Sequence, residues 1–122
     1  MEKRIYFHDT DCGGVVYYSN YLKFLEEART ELIESKGIKV LEFLHAVRKC
    51  NITYKSPARY GDILLIETKI RELTAAQIIF EQKIFNKSDK RLVVEAETSL
   101  VSLNSDFKPT QIPEYVKKAL GF

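Results

Sequence analysis

The stretch His8-Asp9-Thr10-Asp11-Cys12-Gly13-Gly14-Val15-Val16-Tyr17-Tyr18-Ser19-Asn20-Tyr21 runs without a break into an amphipathic segment, and the rest of the chain is organised around it. It sets carboxylates in a glycine-bearing loop just ahead of a helix start. The first turn of a helix offers unpaired backbone N–H groups and a partial positive charge, which stabilise an oxygen that gains negative charge. Paired glycines let the backbone adopt positive φ and let a ligand come close. Carboxylate and N–H donors together read as a reaction site.

Outward from that stretch the pattern is regular. Lys3 to His8 holds Ile5, Tyr6 and Phe7 and suits a short strand that delivers Asp9 and Asp11. Tyr18 to Lys36 carries Tyr21, Leu25, Ala28 and Leu32 at three- and four-residue steps, widened by Leu22, Phe24 and Ile33, so a largely enclosed helix of about 28 Å is expected. Ser19 suits its N-cap, Asn20 favours capping too, Lys23 and Glu27 are spaced as an i,i+4 pair, and Gly37 suits its end. Val40 to His45 reads as a helical turn. Strands are expected over Ala46 to Lys55, with Cys50, Ile52 and Tyr54 on one face and Cys50 in the core, and over Ile63 to Glu72, Ile78 to Asn86 and Leu92 to Leu103. Thr74-Ala75-Ala76 and the polar Lys87-Ser88-Asp89-Lys90-Arg91 are the turns, and Pro113 opens a short terminal helix. Strand, long helix, then four strands calls for an α+β fold, an antiparallel sheet wrapped around one helix.

Asp9-Thr10-Asp11-x-Gly-Gly-Val-Val-Tyr-x-x-x-Tyr, leading into Glu26-x-Ala28-Arg29-Thr30-Glu31, resembles the hotdog-fold acyl-CoA thioesterases, nearest to the 4-hydroxybenzoyl-CoA and Tol-Pal-associated groups. The resemblance continues through Tyr54-Lys55-Ser56-Pro57-Ala58-Arg59-Tyr60-Gly61-Asp62 and covers most of the chain. It implies one hotdog domain over residues 1–122, a homodimer or homotetramer, and hydrolysis of a small aliphatic or aromatic acyl-CoA to free acid and CoA without a cofactor. It also implies that Asp11 is the essential carboxylate. Residue type alone leaves open whether that carboxylate attacks the thioester or activates a water.

The other candidates are weighed against plainer roles. N–H donors at Tyr17 and Tyr18 are placed to receive the carbonyl oxygen's charge. Tyr18 holds the position where the Tol-Pal-associated enzymes carry His and the 4-hydroxybenzoyl group carries Tyr; a phenol is a poor base at neutral pH, so its backbone N–H and ring are what it offers. Asp9 is read as a loop anchor. Glu26 matches a position that meets the acyl group in the 4-hydroxybenzoyl enzyme, and it is equally spaced for an ion pair with Arg29. Arg59, Lys90 and Arg91 are candidates for the CoA phosphates, with a solvated turn as the plainer reading of the last two. His8 and His45 lack partners at metal-ligand spacing, Cys12 has no neighbouring base, and Gly-x-Ser-x-Gly is absent, so neither a metal nor a serine triad is expected.

The totals narrow the class further. A length of 122 residues fits one domain, and a formal net charge of +2 is too small to point to nucleic acid. Two cysteines, no signal peptide and no apolar run of about 20 residues suggest a cytoplasmic protein without an integral membrane segment. Two competitors remain. An enoyl hydratase on the same fold pairs its aspartate with a histidine five residues on, where Val16 stands here; a non-catalytic acyl-thioester-binding module needs only the pocket.

Overall fold

The computed structural model describes residues 1–122. Its elements follow in the order β1 (Glu2–Arg4), a 3-10 turn (Phe7–Asp9), α1 (Asn20–Ser35), a second 3-10 turn (Val40–Glu42), β2 (His45–Tyr54), β3 (Ile63–Leu73), β4 (Gln77–Asn86), β5 (Leu92–Ser102) and α2 (Glu114–Ala119). The five strands form one antiparallel sheet in the order β1-β3-β4-β5-β2. This is the hotdog arrangement, with α1 as the filling.

Alternation in the strands creates the inner face. On β4, Ile78, Phe80, Gln82, Ile84 and Asn86 are buried at every second position; across it on β5, Ala96, Thr98 and Leu100 do the same. Tyr21, Phe24, Leu25 and Ala28 of α1 pack with Leu64, Ile66, Ile84, Val94 and Ala96, closed at the loop end by Ile5, Val16 and Ala58. A second apolar cluster joins Ile33 to Ile38, Phe43, Ile78, Phe80 and Leu100, and α2 seals it with Val116. Between the two clusters runs a polar seam: Arg29 follows Ala28, Gln82 separates Phe80 from Ile84, and Thr98 separates Ala96 from Leu100.

The seam ties helix to sheet. Gln82 Nε2 donates to the Leu25 carbonyl at 2.9 Å and to Thr68 Oγ1 at 3.0 Å, while its Oε1 accepts from Arg29 Nη1 at 3.1 Å. A buried amide with both ends satisfied fixes one depth and one rotation of α1. On the opposite face of the sheet, Glu67, Lys83 and Glu95 stand side by side, as do Lys69, Glu81 and Glu97. That face is charged.

Several local expectations give way to tertiary contacts. The first strand ends at Arg4 because the Asp9 carboxylate captures the Tyr6 N–H and winds Phe7–Asp9 into a 3-10 turn. The helix begins two residues later than its apolar pattern, at Asn20. Ser19 already has helical angles (φ −71°, ψ −19°), so its side chain makes no cap hydrogen bond. Glu27 pairs with Lys3 at 3.8 Å instead of with Lys23. Cys50 is only half-buried because β2 is an edge strand, and its Sγ accepts from Thr98 Oγ1 at 3.4 Å.

Candidate active site

The loop between Asp9 and α1 is a small hairpin. Thr10 bridges to Val16, the Asp11 N–H donates to the Val15 carbonyl at 2.9 Å, and the Gly14 N–H returns to the Asp11 carbonyl at 3.0 Å. Its two glycines answer different needs. Gly14 has φ +79°, a conformation costly for a residue with a side chain. A Cβ on Gly13 would lie 3.1 Å from Asp11 Oδ1. That closeness is what lets the Gly13 N–H donate to Asp11 Oδ1 at 2.8 Å.

The two aspartates are placed oppositely. Asp9 stands in the turn before the central helix and is 6% exposed. Its Oδ2 accepts from the Tyr6 N–H at 2.9 Å, and its backbone carbonyl accepts from both the Tyr17 N–H and Asn20 Nδ2, each at 2.9 Å. Asp11 is exposed and holds one such contact, the Gly13 N–H. Asp9 is thus bound into the loop, while the Asp11 carboxylate is the exposed one of the two.

The same contacts correct the donor assignments. The Tyr17 N–H is spent on the Asp9 carbonyl and is not free to receive a developing oxyanion. The N–H groups of Tyr18 and Ser19 have no acceptor within the chain and stand at the start of α1. Asn20 does not cap the helix; it fastens the helix start to Asp9. The Tyr18 ring is exposed and packs on Tyr17 and Tyr54 at centroid distances of 5.0 and 6.1 Å. Tyr21 and Tyr54, which sequence reasoning left as core and strand residues, both buttress the loop. The buried Tyr21 hydroxyl accepts from the Ala58 N–H at 3.3 Å, and Tyr54 Oη donates to the Tyr18 carbonyl at 3.4 Å. Burial pushes both phenols above their ordinary pKa, so both remain protonated at neutral pH.

The basic candidates gather at one end of the loop. Val15 bridges to Arg59, the Val16 N–H donates to the Ala58 carbonyl at 2.8 Å, and Arg91 Nη2 donates to the Pro57 carbonyl at 2.9 Å. Arg59, Lys90 and Arg91 are therefore carried beside the loop on segments bonded to it, all three exposed. Part of Arg91 is committed to Pro57 and to Asp89, 3.9 Å away.

Glu26 and Arg29 do not form an ion pair. Glu26 Oε1 accepts from Thr30 Oγ1 at 2.7 Å on the exposed side, while Arg29 turns inward to Gln82 and is 6% exposed. Desolvation lowers the Arg29 pKa, partly opposed by Cys50 and Glu26. A guanidinium stays protonated all the same, and burying such an ion costs several kcal/mol unless something compensates it. Helical spacing offered Arg29 as one possible partner for Glu26; its place four residues after Leu25 and four before Ile33, both buried, was the available signal.

The thioesterase-like superfamily matches residues 5–120. The chain is 34% identical over 119 residues to the acyl-CoA thioester hydrolase YbgC of Escherichia coli O6:H1, covering 93% of this chain and 88% of that protein. Among solved structures, it superposes on the 4-hydroxybenzoyl-CoA thioesterase of Pseudomonas sp. strain CBS-3 with a TM-score of 0.89 at 25% identity, covering 98% and 96% of the two chains. It shares the fold of the 1,4-dihydroxy-2-naphthoyl-CoA thioesterase Slr0204 from Synechocystis, with a TM-score of 0.92 at 24% identity over 98% of this chain and 93% of that one.

An anchoring Asp9 has a distinct signature. Asp9→Ala strands the Tyr6 N–H and is expected to cost about 1–3 kcal/mol, whereas Asp9→Asn keeps an acceptor oxygen there and costs less. Thermal melts of the two variants beside the parent protein read the difference; equal losses would contradict the anchor.

Proposed function

The chain belongs to the thioesterase-like superfamily and is an acyl-CoA thioester hydrolase of hotdog fold, and from that premise we propose that Asp11 supplies the reacting carboxylate. The observation that carries the reading is the presence of an exposed Asp11 carboxylate and a free Tyr18 N–H at the start of α1 in one loop, in which Asp9, Tyr17 and Asn20 are tied down. The thioester carbonyl oxygen takes the Tyr18 N–H and the positive end of the helix as its charge develops. Asp11 stands as nucleophile or base. As nucleophile it forms a mixed anhydride, expels the CoA thiolate and is released by water; as base it takes the proton from a water that attacks the same carbon. Both routes end in a free acid and CoA, and neither needs a cofactor.

The acyl group is a small aliphatic or aromatic one, set against the Tyr17 and Tyr18 rings with Glu26 further along the helix. Arg59, Lys90 and Arg91 face the CoA phosphates. We assign the chain as one domain, residues 1–122, acting in the cytoplasm; no helix is long and apolar enough to cross a membrane. Assembly as a homodimer or homotetramer is supported by β2. It is a ten-residue edge strand with its outer side unpaired, and Ala46 and Val47 on it are exposed.

Three results are expected. Asp11→Asn loses at least about 10²-fold in kcat, measured by thiol release from benzoyl-CoA and short acyl-CoAs, with an unchanged melting temperature. Retained turnover would remove Asp11 from the mechanism. Replacing Lys90 and Arg91 together with Ala raises KM for CoA thioesters, more at low ionic strength, with little change in kcat. A KM indifferent to both the substitutions and the salt would make the hairpin a solvated turn. Light scattering at micromolar concentration gives at least a dimer, and a fully active monomer would contradict the assembly.

A further inference from the structure

Arg29 is the buried charge for which the loop has no use. It is 6% exposed, donates one N–H to Gln82 Oε1 at 3.1 Å, and has no carboxylate within ion-pair distance. Gln82 has nothing more to give, because its Nε2 is committed to Leu25 and Thr68. A guanidinium presents five N–H donors in a planar fork, so most of the fork awaits an acceptor.

A space is available beside it. Arg29 lines a cavity of about 180 Å³ between α1 and β2, together with Glu26, Ile33, His45 and Val47. His45 Nδ1 lies 2.6 Å from the Phe43 carbonyl. Glu26 is occupied by the Thr30 hydroxyl. The cavity thus combines the Ile33, Val47 and Leu100 side chains with the Arg29 guanidinium, which has no ion pair, and with the Glu26 carboxylate on its exposed side.

The cavity lies further along the helix whose start carries the Tyr18 N–H. Arg29 is eleven residues beyond Tyr18, about 16 Å along the axis at helical rise, and helical side chains lean back toward the N-terminus. An acyl group of two or three carbons whose carbonyl sits at the Tyr18 N–H falls short of it. A medium-length chain running along α1 reaches it.

We infer that this cavity receives the far end of the acyl group and that Arg29 pairs there with a terminal carboxylate, making CoA monothioesters of medium-length dicarboxylic acids the substrate class. This rests on the thioesterase reading above and replaces the small aliphatic or aromatic acyl group given there with a longer one. The planar fork matches a carboxylate through two parallel hydrogen bonds, and the pair neutralises the charge that burial leaves exposed to a low dielectric. Hydrolysis then yields a dicarboxylate and free CoA.

The test compares two thioesters that differ at the distal end, adipoyl-CoA and hexanoyl-CoA, with benzoyl-CoA as a common reference. The protein is expected to favour adipoyl-CoA in kcat/KM by about tenfold or more, the scale on which a polar site rejects an analogue lacking its partner. Arg29→Met is expected to lower kcat/KM for adipoyl-CoA by a further factor of about ten relative to its effect on hexanoyl-CoA. Product inhibition of the unsubstituted protein, stronger by adipate than by hexanoate, gives the same answer if that variant does not fold. Turnover of hexanoyl-CoA and benzoyl-CoA with no preference for adipoyl-CoA would overturn the assignment of Arg29 alone. Failure to hydrolyse any of the three would overturn the thioesterase reading together with it.

Discussion

The backbone carbonyl of Asp9 is the contact on which the site depends. By accepting from both the Tyr17 N–H and the Asn20 side chain, it fastens the turn before the loop to the start of α1. Its own side chain holds the Tyr6 N–H, so one residue fixes three segments. The cost of ordering the loop is thereby met by folding rather than by substrate binding, and donor groups aimed in advance are worth most in catalysis. The same contact occupies the Tyr17 N–H and leaves the next one, that of Tyr18, without an acceptor in the chain.

A second fixed point lies deeper. Gln82 bonds to a helix carbonyl, to a strand hydroxyl and to Arg29, dividing the interior into two apolar clusters joined by a polar seam. A purely apolar interior would permit α1 to slide or rotate with little penalty, since volume and pattern could be satisfied in neighbouring registers. With the seam in place, a shift of one residue would strand the buried amide, and stranded polar groups are expensive. The orientation of the first turn of α1, and so the direction of the Tyr18 N–H, is set from below by this amide and from above by Asp9.

Much of this was legible in the sequence, and the omissions share a cause. The hotdog order, the five strands, the long helix and the glycine-bearing loop before it followed from periodicity, turn residues and a specific motif. The first strand was read too long because Tyr6 and Phe7 have strand character, while a hydrogen bond from residue 6 to residue 9 decided otherwise. Ser19, Asn20, Lys23 and Glu27 were given their commonest local roles as caps and as an i,i+4 pair. Asn20 and Glu27 instead answer to partners outside the helix, Asp9 and Lys3, while Ser19 already has helical angles. Arg29 was misplaced for the same reason, since helical spacing offers Glu26 as a neighbour and says nothing of Gln82, 53 residues away. Local chemistry could be read from local sequence; long-range polar contacts could not.

The two glycines of the loop subject the chain to different kinds of evolutionary constraint. At Gly14 there is open space for a side chain, and the obstacle is the left-handed backbone. Substitution there draws on folding stability, so stabilising changes elsewhere in the chain could compensate for it and a lineage could drift through that position. At Gly13 the obstacle is the Asp11 carboxylate itself, 3.1 Å from where a Cβ would sit. No surplus of global stability returns that oxygen to its place. Adjacent and identical, the two residues differ in whether their loss can be forgiven from a distance.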